Sequence, residues 1–353
     1  MLPAPSMARM RRVRIGRRPA AVGVLLVVAA VAAGCATPGP MPTPTPSSSY
    51  SPGYTAPAVQ VLAPLTGELV EPGSLDHPSL AAKIDNHVEA RPQEGLDRTD
   101  LVFEELVEGG LTRYVAVWHS DIPKEIGPIR SIRPMDPDII SPLGGIVAYS
   151  GGQYRFVVLM QSTDVFNAVH GYSDMADIMF RAPDRGSPHD VIVRAQTLIR
   201  RYDDIHPPKQ QFAFADDVSA STAAIDGTPI ASATITFSPA SKPGWTWDAD
   251  RGVWLRSQLG TADTDSHGDR LTATNVVVVR VPISFGLGVP KTELIGDGRA
   301  WILSDGKVVE AHWKKSTRTG LIQLTDDSGA AIRLAPGNTW IELMPTSGRF
   351  RSE

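Results

Sequence analysis

An α+β architecture is expected for this 353-residue chain, with a mixed α/β region first and a mostly antiparallel, all-β region after it. Three observations point there. Between about residues 61 and 204, short apolar runs bounded by turn formers alternate with helix-period patterns. From about 234 to 344 helical periodicity nearly vanishes, and short apolar runs are separated by turn dipeptides. A charge-free stretch rich in Pro, Ser and Thr then divides this body from an apolar N-terminus.

The N-terminus sets the compartment. Residues 1–34 carry six Arg and no acid, and the apolar run Ala20–Ala33 follows the basic stretch. Basic flank, short apolar run and small residues at the end are the marks of an export signal. At fourteen residues the run is shorter than the ~20 that a permanent membrane-spanning helix needs. Ala32-Ala33-Gly34-Cys35 resembles a bacterial lipobox, with Ala32 where Leu or Val is more usual. Cys35 is therefore the expected lipidation site, and the expected location is the extracytoplasmic face of the cell membrane, held by that lipid. As the sole cysteine, it leaves no intramolecular disulfide for the exported body.

Residues 35–58 hold the anchor and a stalk, with seven Pro and eight Ser or Thr in 36–58. Extended at ~3.1 Å per residue, such a tether reaches up to ~70 Å. The remaining expected boundaries are an N-terminal α/β domain at 59–205, a linker at 206–231, a C-terminal β domain at 232–345 and a tail at 346–353. The formal charge of -4 conceals the signal's contribution: without its six Arg, 28 basic residues face 38 acidic ones, a net -10. A body this acidic is not expected to bind nucleic acid.

Within the first region, Ser79–Ile84, Leu111–Trp118 and Ile146–Tyr149 read as strands. Ser187-Pro188 reads as the opening of a helix, Ser as N-cap and Pro as first residue, with Val191, Ala195, Leu198, Ile199 and Tyr202 at helical spacing. In the second region the runs Asn275–Val281, Ala300–Leu303, Val308–Trp313, Leu321–Leu324 and Ala331–Leu334 read as strands joined by tight hairpins at Asp305-Gly306 and Ser328-Gly329. Six of the seven Trp fall in this region, where sandwich core is a more general use for them than a sugar-stacking platform.

The polar positions that invite chemistry lie in the first region. Lys83-Ile84-Asp85-Asn86-His87 ends a strand in a polar cluster, with Arg91 and Gln93 close behind; the alternative is a turn in which Asp85 and Asn86 bond backbone. Glu104 and Glu108 fall on one face of either a strand or a helix, with Arg113 following. Such a pair can act as acid and base in glycoside hydrolysis, or can sit in a structural ion-pair network. Arg130 and Arg133 bracket Ser131 in a Pro-bounded loop, and guanidinium forks suit phosphate or carboxylate. Gly151 and Gly152 lead from a strand toward the apolar run Phe156–Met160, where backbone N–H groups can approach an anion. The set supports an anionic group bound in the first domain, with internal neutralisation of Glu104, Glu108 and Asp136 by the two Arg as the alternative.

No metal or cofactor is expected. Asp263–Asp269 opens like a calcium loop but has Thr274 at its twelfth position, so it reads as a polar hairpin loop. His170, His189 and His206 lack zinc spacing, and no nucleophile elbow is present.

Long motifs in this chain resemble those of the YerB-type bacterial lipoproteins. In the first region these are Lys83–His87, Ala90–Leu96, Val107–Arg113 and Ile126–Arg133; in the second, Asn275–Val278, Ile295–Gly298, Ser304–Lys307, Trp313–Lys315 and Pro336–Ile341. The resemblance covers about 62–205 and 232–345 and implies an extracytoplasmic lipoprotein with two adjacent domains, without any established catalytic residue to carry over. Two functional classes follow. One is a noncatalytic envelope binding protein, recognising peptidoglycan, another anionic envelope component or a wall-synthesis protein. The other is an envelope glycan hydrolase or transferase, with Glu104 or Glu108 and Asp85 as acid and base.

Overall fold

The apolar runs of the two regions lie side by side in one large sheet. The computed structural model describes residues 59–353; the signal, Cys35 and the stalk fall outside the described residues. In the first region, β1 (Leu80–Asp85) pairs antiparallel with β3 (Thr112–Trp118), which pairs antiparallel with β2 (Leu101–Leu106). The short helix α1 (Asp136–Ile140) precedes β4 (Ile146–Tyr149), and α2 (Tyr154–Gln161) crosses from it to β5 (Phe166–Val169). Both β1–β4 and β4–β5 are parallel, as a helical crossover allows.

The helix expected from Ser187-Pro188 begins later. Met179–Arg181 (β6) and Val191–Val193 (β7) form an antiparallel ribbon, and only Ala195–Arg201 (α3) is helical. Val191, Ile192 and Val193 are all β-branched and therefore stiff at χ1. Their backbone is held by β6 and by Ile126, so pairing across the fold overrides a locally plausible helical spacing.

The second region supplies β8 (Ser232–Thr236), β9 (Pro243–Asp248) and β10 (Val253–Gln258), a meander in a second sheet. It then supplies β11 (Asn275–Val281), β12 (Gly296–Ser304) and β13 (Lys307–Lys315), which are antiparallel neighbours in the large sheet. The Asp305-Gly306 turn is the expected hairpin, with both residues at positive φ (50° and 68°), as a type I′ turn demands. Finally, β14 (Thr339–Pro345) inserts between β11 and β2, parallel to both. The large sheet thus reads β13-β12-β11-β14-β2-β3-β1-β4-β5, with the short strands Thr228–Pro229 and Gln323–Thr325 on β13.

Several boundaries differ from expectation. Residues 349–352, placed in a tail, form β15 and pair with β8 along four residues. The 206–231 segment is packed rather than free: Phe214 bridges to Leu334, and Gly67 lies so close to it that a Cβ there would stand 2.2 Å from the Phe214 ring. Ala331–Leu334 makes only isolated bridges, to Thr325 and to Phe214.

Alternation along the strands builds two cores, one on each face of the large sheet. Ala82, Ile84, Val102, Tyr114, Ala116, Val276, Val278 and Trp340 pack toward the second sheet. Ala81, Leu101, Phe103, Val115, Val117, Val277 and Ile341 pack on the opposite face, with α1 and α2. A strand covered on both faces reads as a continuous apolar run, which is why Asn275–Val281 is so legible. Trp245, Trp254, Trp301, Trp313 and Trp340 are buried and serve these cores.

Candidate functional site

Side-chain alternation divides the polar residues at the open end of β1–β3 into two groups on opposite faces. Glu104 and Thr112 share the face of Val102 and Tyr114; Lys83, Glu105 and Arg113 share the face of Phe103 and Val115. The two groups have different fates.

On the second-sheet face, Arg256 of β10 is fully buried and donates to Glu104 Oε2 at 2.6 Å and also to Asp263. Its guanidinium lies over Trp340 at 4.7 Å and Tyr114 at 5.3 Å, and the low polarity around it raises the value of each contact. Glu104 Oε1 also accepts from Thr112 Oγ1 at 2.6 Å. Its cross-strand neighbour Glu342 takes a hydrogen bond from Trp245 Nε1 at 2.9 Å. Burial, with Glu104 adding repulsion, holds the Glu342 carboxyl well above the ordinary carboxylate range. Asn86 belongs to the same group, donating to Thr112 Oγ1 at 2.8 Å. Arg91 in turn donates to Asn86 Oδ1 and to its carbonyl, both at 2.9 Å, and Gln93 Nε2 donates to the Asp85 carbonyl at 3.0 Å. These are contacts internal to the protein.

On the opposite face, the loop after β3 folds back along β1: Asp85 N–H donates to Pro128 O and Arg130 N–H to Lys83 O. A second loop is zipped to it, Ser150 N–H donating to Arg130 O and Ile132 N–H to Gly151 O. Gly151, at φ 106°, makes the turn that L residues rarely adopt and is half-buried, with Gly152 exposed beside it. Gln153 then stands at the N-terminal boundary of α2, without a capping hydrogen bond from its side chain. This frame gathers Arg113, Arg130 and Arg133. Arg130 Nε lies 2.8 Å from Asp85 Oδ2, and Arg133 Nε donates to Glu108 Oε2 at 2.8 Å. Arg113 has no carboxylate within ion-pair distance among the described residues; its Nη1 donates to Ser131 O at 2.8 Å. Burial, together with the charges of Arg133 and Arg130, pulls the Arg113 guanidinium down to about 10.

Beneath this cluster Lys83 is fully buried and donates to Glu105 and, at 2.8 Å, to Asp136. One ammonium faces two carboxylates, so burial and Asp136 push Glu105 up to about 8. The structure therefore does not bring Glu104 and Glu108 together as a pair. Glu104 meets Arg256 below the second sheet, whereas Glu108, half-exposed after β2 has ended, meets Arg133 on the other face.

Residues 65–207 match the model described as "Protein of unknown function (DUF3048) N-terminal domain", and residues 233–341 match its C-terminal domain. The chain belongs to this family. It is 26% identical over 301 residues to "Putative lipoprotein YerB" of Bacillus subtilis (strain 168), a match that covers 82% of this chain and 87% of that protein. The crystal structure of the YerB protein from Bacillus subtilis aligns with a TM-score of 0.71 at 22% identity, covering 82% of this chain and 99% of that one, and shows the shared fold. The resemblance read from Lys83–His87, Val107–Arg113 and Ile126–Arg133 is thus the family relationship. No helix among the described residues is long and apolar enough to cross a membrane.

Beside the cluster the structure brings together Glu89, His87 from the polar motif, and His189, which lacks zinc spacing in the sequence. His189 Nδ1 lies 2.6 Å from Asp85 Oδ2, His87 stacks on His189 with ring centroids 4.9 Å apart, and Glu89 Oε2 is 3.4 Å from His189 Nε2. His87 belongs to the Lys83–His87 motif, whereas His189 is 104 residues from Asp85 and only the fold joins them.

Proposed function

We propose that the protein is a lipid-anchored, extracytoplasmic binding protein that holds an anionic group of a cell-envelope component on Arg113, Arg130 and Arg133. The supporting observation is the charge balance of this cradle. Arg113 and Arg133 both donate to the Ser131 carbonyl and Arg130 lies on Asp85 close by, so that Asp85 and Glu108 are the carboxylates in contact with the three guanidiniums and Arg113 is left with a carbonyl alone. Like charges crowded just below the surface store repulsion that an incoming phosphate or carboxylate relieves, and planar forks bind such groups with two parallel hydrogen bonds. The export signal, Cys35 and the Pro-rich stalk support placement at the membrane face, in keeping with the lipoprotein name of the Bacillus relative. A glycan hydrolase gains no comparable support, because Glu104 is sealed against Arg256 and shares no cleft with Glu108.

The test is a titration of the full chain in detergent with inorganic pyrophosphate, muropeptides and teichoic-acid fragments, followed by calorimetry. We expect saturable binding that weakens with salt and falls about 10–100-fold in Arg113→Met, the loss of one charge-assisted hydrogen bond. Without ligand, Arg113→Met should melt at or above the parent's temperature, since a repelling charge is gone. Absence of saturable binding by the parent chain would overturn the reading. The anchor is tested separately: Cys35→Ala should release the protein from membranes, and continued retention would count against lipidation.

A further inference from the structure

We propose that His87, Glu89 and His189 form a binding site for a divalent transition metal of the zinc class, with Asp85 orienting His189. The three side chains offer two imidazole nitrogens and one carboxylate oxygen, all within 4.8 Å of one another. Glu89 Oε2 is the shared atom, 3.4 Å from His189 Nε2 and 3.7 Å from His87 Nδ1. Donors placed tetrahedrally at ~2.0–2.1 Å from a Zn²⁺ ion stand about 3.4 Å apart, so the spacing suits a metal with little adjustment.

The second observation is what lies behind His189. Its Nδ1 is 2.6 Å from Asp85 Oδ2, and Asp85 is buried, fixed at the end of β1 and held from the other side by Arg130. A carboxylate accepting Nδ1–H puts the lone pair on Nε2, the atom that faces Glu89, and this carboxylate–histidine arrangement is the one that orients metal-bound imidazoles. His189 itself is buried and cannot swing, whereas Glu89 and His87 lie toward solvent, on the short turn that follows β1. The site is therefore one rigid ligand with two adjustable ones and an open side for a fourth donor. The His87 ring lies nearly parallel to that of His189, at 10°, and must turn about its Cβ–Cγ bond to aim a nitrogen at the same point. That rotation gives up a 3.2 Å hydrogen bond from Glu89 N–H, and the ring's exposure leaves room for it. Two imidazoles and a carboxylate suit Zn²⁺, Co²⁺ or Ni²⁺ better than the all-oxygen preference of Mg²⁺ or Ca²⁺.

The inference does not rest on anion binding, although the two sites share Asp85 through Arg130, and its test uses the metal alone. Untagged full-length chain, stripped with chelator, is titrated with Co²⁺ by visible absorption, and Zn²⁺ affinity is read by competition with a chromophoric chelator. We expect one equivalent of Co²⁺ to give the intense visible bands of a low-coordinate site, displaced by Zn²⁺ and not by Mg²⁺. His189→Ala should abolish the spectrum, and Asp85→Asn should weaken Zn²⁺ binding about 10–100-fold. Glu89→Gln, at an exposed position, should weaken binding with the melting temperature unchanged, and His87→Ala should weaken it as well. A parent chain that gives no Co²⁺ spectrum, or a spectrum undiminished in Glu89→Gln and His87→Ala, would overturn the proposal and leave the cluster a simple His–carboxylate contact.

Discussion

Replacing Arg256 with Met separates a structural role for Glu104 from a chemical one. Arg256 is wholly buried between the two sheets and neutralises Glu104 and Asp263, with Glu342 alongside. Met keeps most of the volume and the contact with Trp340 but removes the charge. Breaking a buried ion pair from one side costs about 3–5 kcal/mol, because the remaining charges stay out of water without a partner. For the 295 residues from 59 to 353 the unfolding entropy is about 0.6 kcal/mol per degree, so the melting temperature should drop by about 5–8 °C. The deserted carboxylates would bind protons more tightly in the folded state than in the unfolded one. Their penalty is therefore smallest at acid pH and grows as pH rises, and the drop should be larger at pH 8 than at pH 5. Glu104→Gln should recover part of the loss in the double variant, a coupling that differential scanning calorimetry at the two pH values can measure. An Arg256→Met protein melting within a degree or two of the parent at both pH values would refute the reasoning and reopen Glu104 as a group held for chemistry.

Two further outcomes follow from particular contacts. Glu105 is pushed up to about 8 by burial and by Asp136, above its unfolded value near 4.5, so it stabilises the fold while protonated. Stability from this group is complete below about 4.5 and is lost as pH rises toward about 8; Glu105→Gln should flatten the urea midpoint across that window, and an unchanged slope would show that the proton is not there. At the β12–β13 hairpin, Gly306 sits at φ 68° and a Cβ would stand 2.7 Å from Trp247 Nε1. Gly306→Ala should cost about 1–3 kcal/mol, read as a lower urea midpoint at unchanged m-value.

Legibility in the sequence tracked how local each interaction is. Ile146–Tyr149 and Asn275–Val281 coincide with their strands because continuous β-branched and apolar runs flanked by turn formers carry the signal in themselves. The Asp305-Gly306 turn was equally plain, since left-handed backbone geometry selects those residues. At Val191–Val193 the local spacing suits a helix, but pairing with β6 across a nine-residue loop and with the distant Ile126 makes a strand, and residues 349–352 pair with β8, more than a hundred residues away. Arg113, Arg130 and Arg133 are legible by type and spacing; in the fold Arg113 and Arg133 meet at the Ser131 carbonyl and Arg130 turns to Asp85. What spacing did not reveal is that Glu104 and Glu105 point to opposite faces of a sheet covered on both sides, which sends one to Arg256 and the other to Lys83.

By itself the sequence determined the export signal's composition, the candidate anchor at Cys35, the runs that become strands and the motifs that place the chain in its family. Only the tertiary structure decided that both regions share one sheet through β14, that Glu104 is sealed and Glu108 is not, and that His189 stands against Asp85. Composition and periodicity act through neighbours along the chain. Strand pairing, burial and the meeting of charges are set by residues distant along the chain, 22 positions for Lys83 and Glu105 and 152 for Glu104 and Arg256, whose proximity exists only after the sheet has formed.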